Sequence, residues 1–517
     1  MKRIILSIAA SVAVAATAGA QTGRLFGMES FPVTAMMDFA RYDYSLNTPR
    51  SAAMGGAFGS LGADLSSMSI NPAGLAMYRR SELGITTSVV TNNMIPTSGA
   101  GFDYRGDGLR GRYVLNNFGI AMNTYQGSGD VTSVQFGFGY NRLADLNYNY
   151  SYATPIDNST VGDYLPNLIE GTPAAWMPRP SSGINVNPYA DARIDPAQWP
   201  GVLAYRTEML DNPANNSYLA QQIDPNSDVT HYTEYQSGGY VGEYTFSGAV
   251  NFGNKLYMGM TVSLLSIDNN RYLYYEETYP GNIYVQDFML YNQWSRYTGA
   301  GVGLKFGLIY RPIESLRIGV AFHTPHWVSL SRSYRADMTT QFSDLVSQPY
   351  DWTDLLRDDY SYSTPPRLMG SVSYTIGQAA IISFDYERVW WNGMRSQNTR
   401  WDMLRDFVTN DFKGQDNFRL GAEYRPSPAL ALRAGGTYSG SVLKDKGAMV
   451  DVLDGPVANR SASASLGIGY RFANCSLDAT YVYNKTSYTN YAMYDYQPSI
   501  KLYNNRNIFM LGFSARF

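Results

Sequence analysis

Arginines and carboxylates alternate with apolar residues along several segments, so that charged side chains share one face of each segment. The arginines are Arg317, Arg367, Arg419, Arg425, Arg433 and Arg471, and the acids on the same face are Asp385, Glu387, Glu423 and Asp478. Opposite charges on neighbouring segments predict ion pairs that hold the structure together. A guanidinium group can also bind the carboxylate of a ligand. We keep Arg317, Arg367, Arg419 and Arg433 as candidate anchors for such a ligand.

Histidines are too sparse for most catalytic sites. The chain has 3 histidines, and two of them, His323 and His326, lie in "HTPHW". A pair of histidines near an aromatic residue could bind haem or a metal, but two residues three apart on a strand point to opposite faces. The chain contains no G-x-S-x-G motif, no P-loop and no clustered metal ligands. We therefore expect no enzyme, no metal and no cofactor, with haem binding and a hydrolytic site at His323 as alternatives.

The segments that carry these charges read as β-strands. In the final residues, "NIFMLGFSARF", Phe509, Leu511, Phe513 and Phe517 fall on one face, while small and polar residues fall on the other. This period of two is typical of strands. In a soluble sandwich the apolar face would form the core, whereas in a membrane barrel it would face lipid and the polar face would line a lumen.

The connections between these strands alternate strictly between short and long. The sequence predicts strands near 81–93, 115–125, 131–144, 240–252, 255–268, 293–311, 315–324, 365–376, 379–391, 416–426, 429–440, 461–472, 475–486 and 506–517. Tight turns such as "FGNK" and "FANC" separate long loops, which is the pattern of outer-membrane barrels. We predict an all-β chain with a 14-stranded antiparallel transmembrane β-barrel. A secreted sandwich or propeller is the alternative.

The composition and the N-terminal residues agree with an exported membrane barrel. Residues 1–20 have a basic start, a short apolar stretch and the small residues Ala18-Gly19-Ala20, which predict a cleaved signal peptide. Charged residues make up 16% of the chain, and Tyr and Gly number 43 and 48. A net charge of -3 argues against nucleic acid as a partner. The single cysteine, Cys475, excludes an internal disulfide.

Residues 51–90 resemble the N-terminal plug of the FadL/TodX family of outer-membrane transport proteins. The resemblance rests on "SAAMGGAFGSLGAD", on the following serine run and on "NPAGLA", and weaker family-like pieces are "GVAFHTP" and "TPPRLMGSVSY". It implies an N-terminal extension and plug (hatch) over 21–80 inside a barrel over 81–517. It also implies that the plug gates passive entry of hydrophobic small molecules. Residues matching the plug motif are Asp64, Asn71, Pro72, Ala73, Gly74 and Leu75.

In that family, ligand leaves through a wall opening at a kinked strand. Glycines inside a strand often mark such a bend, and the third predicted strand contains Gly137 and Gly139. They are candidates for the kink, although glycines are also common in barrel strands. The chain departs from the family in the residues before Ser51 and in a very long loop, 145–239.

We expect the loop 145–239 to fold over the outer mouth, with short helices in "RTEMLDN" and "SYLAQQI". Trp176 and Trp199 are candidate apolar contacts for a ligand, or part of a structural lid. The predicted partners are hydrophobic small molecules, outer-membrane lipids and the barrel assembly machinery, which would bind the strand that ends at Phe517. A protein partner at the extracellular loops is the alternative. The alternative functions are an interaction protein of a secretion system, a haem receptor and a general porin.

Overall fold

The strands close into a single barrel. The computed structural model describes residues 33–97, 103–104, 111–157, 160–214, 216–220, 228–280, 286–343, 348–377, 379–396, 408–409, 412–444, 457–488 and 500–517. The predicted signal peptide and residues 21–32 lie outside these described residues. The 14-stranded antiparallel barrel is confirmed. Its last strand pairs with its first from Glu82↔Arg516 to Thr97↔Lys501, which leaves no free edge.

We number only the strands that form the closed barrel. They are β1 Glu82–Thr97, β2 Gly111–Gln126, β3 Val131–Asp145, β4 Asp228–Phe252, β5 Leu256–Thr278, β6 Gln286–Ile313, β7 Leu316–His323, β8 Arg367–Ile376, β9 Ala380–Trp390, β10 Gly414–Tyr424, β11 Leu430–Ser439, β12 Ala458–Phe472, β13 Cys475–Tyr488 and β14 Lys501–Arg516. Further strands are Asp103–Tyr104, Tyr148–Asp157, Leu210–Ala214, Ser217–Ala220, Trp327–Phe342, Tyr350–Trp352, Leu356–Ser363 and Arg395–Ser396.

The apolar face of the barrel points outward. Phe509 and Leu511 of β14 are 55% and 58% exposed, whereas Met510 between them is buried. Strands β7, β9, β10 and β12 show the same alternation, with exposed Val320, Phe384 and Leu420 among their residues. An apolar exterior around a polar interior is the arrangement of a barrel in lipid. Among the described helices, none has the length and hydropathy that crossing a bilayer would require.

One side of the barrel extends far beyond a membrane. A membrane-spanning strand needs about 9–11 residues, but β4, β5 and β6 have 25, 23 and 28 residues. The strand Trp327–Phe342 continues the wall by pairing with the upper part of β6, and Leu356–Ser363 pairs with it in turn. These extensions lie in segments that the sequence assigns to loops, and they support the folded part of loop 145–239.

Short α-helices in the described residues lie outside the barrel strands. They are α1 Val33–Phe39, α2 Pro49–Ala53, α3 Ser67–Ile70, α4 Leu165–Ile169 and α5 Trp199–Arg206, and 3-10 helices cover Tyr44–Leu46, Pro72–Met77, Val161–Asp163, Ala174–Trp176, Pro180–Ser182, Pro188–Ala190, Pro196–Gln198 and Trp391–Gly393. The helix predicted in "RTEMLDN" and the described part of the one in "SYLAQQI" are wrong. Arg206 is the last residue of α5 and 207–209 form a turn. The residues from Leu210 belong to the hairpin of Leu210–Ala214 and Ser217–Ala220.

Residues 160–214 and 216–220 form a compact unit, which we call the cap. Its core joins α4 and α5 to the extended wall, where Tyr275, Met289 and Tyr334 are buried. Trp199 is 3% exposed inside this core, so it is a packing residue rather than an accessible ligand contact. Trp176 is partly buried and stacks under the guanidinium group of Arg193 at 4.2 Å.

Candidate functional site

The chain between α1 and β1 lies inside the barrel, and we call residues 42–78 the plug. Lumen-facing side chains on opposite sides of the barrel bind its backbone. The distances from donor to carbonyl oxygen are 2.8 Å for Thr437 to Gly55, 2.9 Å for Ser465 to Ala53, 2.8 Å for Thr480 to Pro49 and 2.9 Å for Lys305 to Ser69. These contacts to β6, β11, β12 and β13 place the plug across the lumen.

Asn71 connects the plug to the wall. Its Nδ2 donates to the carbonyl oxygen of Gly59 at 2.5 Å and lies 3.4 Å from those of Leu308 and Val320, on β6 and β7. Its Oδ1 accepts the backbone N–H of Ala73 at 3.1 Å. Pro72 has no N–H to continue α3, so the helix ends and a 3-10 turn begins.

The rest of the plug motif supports this turn. The backbone N–H of Gly74 bonds to the Asn71 carbonyl at 3.0 Å, and the Leu75 side chain is fully buried. Asp64 accepts the Thr48 hydroxyl at 2.7 Å and the Ser66 N–H at 2.9 Å, which ties two parts of the plug together. The residues chosen from the sequence are therefore brought together, while their role in gating stays a prediction.

Glycines of three adjacent strands make room for the Asn71 turn. A Cβ on Gly259 would overlap the backbone of Pro72, and one on Gly307 would overlap Asn71 Oδ1. A Cβ on Gly319 would overlap the Gly59 carbonyl. Gly259 and Gly307 are directly paired on β5 and β6. Sequence reasoning missed these glycines, because only the pairing of distant strands shows that they face one turn of the plug.

Gly137 and Gly139 also face the plug. An added Cβ at these positions would lie 2.6 Å and 2.8 Å from the Sδ and Cε atoms of Met68. Strand β3 keeps continuous register with β2 and β4 at both residues, and its described irregularities with β4 lie at Val131/Ser133 and Arg142/Ala144. The glycines thus allow close packing of the plug in this conformation, and a wall kink at them stays a prediction.

A buried ion pair holds α3 against the wall. Lys305 of β6 pairs with Glu243 of β4, and both side chains are fully buried. The Ser69 hydroxyl donates to Glu243 at 2.5 Å, and the Ser263 hydroxyl also donates to that carboxylate. Burying two charges is costly unless each is paired and hydrogen-bonded, so this network makes the position of α3 specific.

Two predicted anchors, Arg367 and Arg419, share the buried carboxylate Glu387. Arg419 donates to Glu387 directly, and Arg367 lies 3.8 Å from it. From the plug, the Tyr44 hydroxyl donates to the same carboxylate at 2.9 Å. Burial, followed by the charge of Glu387, raises the pKa of Tyr44, so the phenol remains a donor. Burial also raises the pKa of Tyr42, whose ring lies 3.8 Å from the Arg367 guanidinium.

The other two predicted anchors, Arg433 and Arg317, differ in their partners. Arg433 pairs with Glu423 at 2.7 Å and with Asp478 at 2.6 Å, and the plug residue Arg50 shares Glu423 at 3.1 Å. Arg317 has no carboxylate within ion-pair distance among the described residues, and its Nη1 lies 3.9 Å from Met77 Sδ. The predicted lumen ion pairs are therefore present for three of the four candidate arginines.

Both histidines of "HTPHW" point inward and bind the plug. His323 Nε2 donates to the Ile70 carbonyl at 2.9 Å. His326 hydrogen-bonds to Ser263 at 2.7 Å and to Tyr42 at 3.1 Å. The described residues contain no group of three or more His, Cys, Asp or Glu that could hold a metal ion. The two imidazoles thus contribute to plug–wall contacts.

Helix α1 fills an apolar half of the lumen above the plug. Met36, Met37 and Phe39 are buried in a cluster with Leu143 of β3 and Val241 of β4. The cluster also includes residues of the wall extension, such as Val328 and Leu330. The cluster runs along β3–β6 and continues to Val389 of β9 and to Phe412 and Val442, with α1 packed within it.

Strands β2 and β3 separate beside this apolar half. Their pairing runs from Asn117↔Asn141 to Gln126↔Ser133, and residues 111–116 and 142–145 pair only with their other neighbours, β1 and β4. Side chains bridge the separation, with Arg112 on Asp145 at 2.7 Å and Arg142 Nε on the Leu115 carbonyl at 3.3 Å. In the described wall, no backbone pairing joins β2 to β3 at this point.

The cap is fastened to the extended wall through two carboxylates. Glu277 accepts the N–H of Val161 at 2.8 Å and the hydroxyl of Thr160 at 2.5 Å. Asp351 accepts the Tyr189 hydroxyl and the Arg206 guanidinium, each at 2.5 Å. Burial, with the charge of Asp351 second, raises the pKa of Tyr189. The cap is therefore a fixed part of the wall.

Several solved structures align with almost the whole described fold. A FadL homologue of Pseudomonas aeruginosa aligns with a TM-score of 0.54 at 12% identity, over 91% of this chain and 98% of that one. The toluene transporters TbuX of Ralstonia pickettii and TodX of P. putida align with TM-scores of 0.50, at 15% and 13% identity. They cover 91% and 90% of this chain and 98% and 97% of their own.

No family model and no curated protein matches the chain. The structural likeness establishes a FadL-type fold.

Proposed function

We propose that this chain is an outer-membrane channel for passive entry of hydrophobic small molecules. In this proposal, ligand enters from the long-loop end, displaces α1 from the apolar half of the lumen and leaves through the wall between β2 and β3. The observation that carries the proposal is the missing ladder between residues 111–116 and 142–145, directly beside the apolar cluster. Below α1, the plug blocks the direct path along the lumen.

The apolar cluster connects the lumen to this opening. Leu143 and Ala144, in the unladdered part of β3, belong to the same buried cluster as Met36 and Phe39 of α1. A molecule that took the place of α1 would therefore contact β3 where its backbone is not paired with β2. Lateral exit suits an apolar molecule, because it moves from an apolar pocket into lipid without crossing water.

The neighbours with this fold support the choice of an apolar substrate. Two of them are described as toluene transporters. Aromatic hydrocarbons and long-chain fatty acids are the substrate classes we propose for this chain. An open porin is disfavoured, because the plug binds strands on opposite sides of the lumen.

Uptake by whole cells tests the proposal. Cells that produce the full-length protein should accumulate radiolabelled toluene or laurate faster than cells without it. A matched variant carries cysteines at Arg112 and Asp145, with Cys475→Ser, so that a bifunctional thiol reagent can join β2 to β3. Cross-linking should abolish the gain. Equal uptake with and without the protein contradicts transport, and rapid entry of glucose into protein-containing vesicles would favour a porin.

A second candidate function is docking of a protein partner at the cap. The cap and the adjacent wall expose apolar residues, including Ile184 at 58%, Leu219 at 58% and Trp352 at 51%. Exposed apolar surface can mark an interaction site. Isolation of a stable complex from native outer membranes, together with no uptake of apolar compounds, would favour this alternative.

A further inference from the structure

A cavity lies above the plug, between the end of β3 and strands β8 and β10–β14. It is bounded by the plug and α1 segment around Arg41 and by lumen-facing residues of the strands, among them Arg367, Arg419, Arg506 and Asn484. The apolar cluster around α1 borders this cavity and shares Ala144, Leu146 and Trp391 with its lining. The polar cavity and the apolar cluster are thus neighbours above the plug.

The charged side chains that line this cavity nearly balance. The lining arginines are Arg41, Arg367, Arg419 and Arg506, and the lining acids are Asp38, Asp43 and Asp145. Glu387, which is outside the lining, pairs with Arg367 and Arg419, and Asp43 pairs with Arg506. Asp38 is shared by Arg41 and Arg271, whose atoms lie 4.0 Å and 3.0 Å from it.

Several guanidinium N–H groups at the cavity are also without a hydrogen-bond acceptor. They are Nε and Nη2 of Arg41, Nη1 of Arg419 and Nε of Arg506, all of them buried. Buried donors are normally satisfied, and an unsatisfied charged donor is especially unfavourable. The arginine side chains of this cavity therefore have free donors to bind an additional acceptor.

An oxyanion is the ligand that fits these donors. Carboxylate and phosphate oxygens match the planar guanidinium group, often through two parallel bonds. We propose that this cavity binds a small, multiply charged oxyanion, either a polycarboxylate or a phosphate, through Arg41, Arg419 and Arg506. The three arginines are not part of the apolar cluster, and anion binding by them does not depend on uptake of hydrophobic compounds.

Binding can be measured on the full-length protein in detergent. Citrate and inorganic phosphate serve as probes, with sodium chloride at equal ionic strength as the reference, because phosphate also stabilises proteins non-specifically. A bound anion should raise the unfolding temperature. It should also change tryptophan emission, because Trp391 lines the cavity and its ring lies 5.7 Å from the Arg41 guanidinium.

Arginine variants identify the site. Arg41→Gln, which removes a weakly paired side chain, should reduce affinity for the better probe by at least about tenfold. Arg388→Gln is the matched control, because Arg388 pairs with Asp416 at 2.7 Å outside this cavity and should bind the anion unchanged. Arg506→Gln provides a second test, and gel mobility of unheated samples shows that each variant is folded.

The binding results either assign the class of the anion or overturn the proposal. Tighter binding of citrate than phosphate assigns a polycarboxylate, and the reverse assigns a phosphate. The proposal is overturned if neither anion acts beyond the chloride reference, or if Arg41→Gln and Arg388→Gln bind equally well. Because the readout is binding rather than uptake, a failed transport assay leaves this result unaffected.

Discussion

Asn71 occupies the space that a side chain on Gly307 would need. A Cβ at Gly307 would overlap Asn71 Oδ1, and a Cβ at the paired Gly259 on β5 would overlap the backbone of Pro72. The asparagine and the glycine form one complementary contact between plug and wall. The "NPAGLA" motif is therefore a docking element whose partner is a glycine patch on β5–β7.

Gly307→Ala should loosen the plug without preventing the barrel from forming. The added methyl group forces Asn71 away from the wall, and overpacking of this kind typically costs about 1–3 kcal/mol. We expect higher ion conductance in planar bilayers and greater sensitivity of cells to large antibiotics. Gly370→Ala is the control, because Gly370 has open space around it. Equal conductance of the two variants would contradict this role of the contact.

The buried pair of Glu243 and Lys305 should contribute strongly to stability. Glu243→Gln leaves Lys305 buried without its counter-ion, and breaking such a pair costs about 3–5 kcal/mol. We expect a lower midpoint of thermal unfolding in detergent, measured by gel mobility. The double variant Glu243→Gln, Lys305→Met should recover part of the loss, since no uncompensated charge remains.

An exposed ion pair provides the comparison. Arg388 and Asp416 have side chains 34% and 42% exposed, and such pairs contribute about 0–1 kcal/mol. Arg388→Gln should therefore shift the unfolding midpoint little. A loss as large as that of Glu243→Gln would show that burial does not determine the effect.

Helix α1 should compete with apolar ligands. Phe39→Ala removes a fully buried ring from the cluster beside the separation of β2 and β3. The loss of this ring should weaken the packing of α1 by about 3–5 kcal/mol. If a ligand must displace α1, this variant should bind a fluorescent fatty acid more tightly than the native chain. Leu219→Ala, at an exposed position of the cap, is the control. Weaker binding by Phe39→Ala would mean that the ring forms part of the ligand site.

The membrane-spanning strands could be predicted from the sequence because each alternates between a lipid-facing apolar residue and a lumen-facing one. Beyond the membrane no lipid contacts the outer face of the wall, so its side chains need not alternate between apolar and polar. Residues 228–239 and 269–278 have mostly polar or tyrosine side chains on both faces, and 286–292 places Phe288, Met289 and Leu290 in succession. None of these segments alternates clearly, so the sequence assigned them to loops, although they extend β4, β5 and β6. The wall extension and its contact with the cap depend on pairing between distant segments.

Prediction of the candidate site from the sequence is limited in the same way. Asn71 and Pro72 could be identified from a local motif, and their local turn follows from their side-chain chemistry. Their partners could not, because Gly259, Gly307 and Gly319 are brought to one place only by the register of three strands. Likewise, the sequence indicated that Arg367 and Arg419 face the lumen, but not that they share one carboxylate, Glu387.

The cap should depend on Asp351 for its attachment to the wall. Asp351→Asn removes the charge that binds Arg206 and Tyr189, and the loss of these charge-assisted bonds should cost about 1.5–3 kcal/mol. We expect faster trypsin cleavage after Arg179 or Arg193 on intact cells, detected by mass spectrometry. Asp354→Asn is the matched control, because Asp354 makes one exposed hydrogen bond, to Asn187 at 2.7 Å. Equal cleavage of both variants would show that Asp351 does not fasten the cap, and its apolar core with Tyr275 and Tyr334 would then be sufficient.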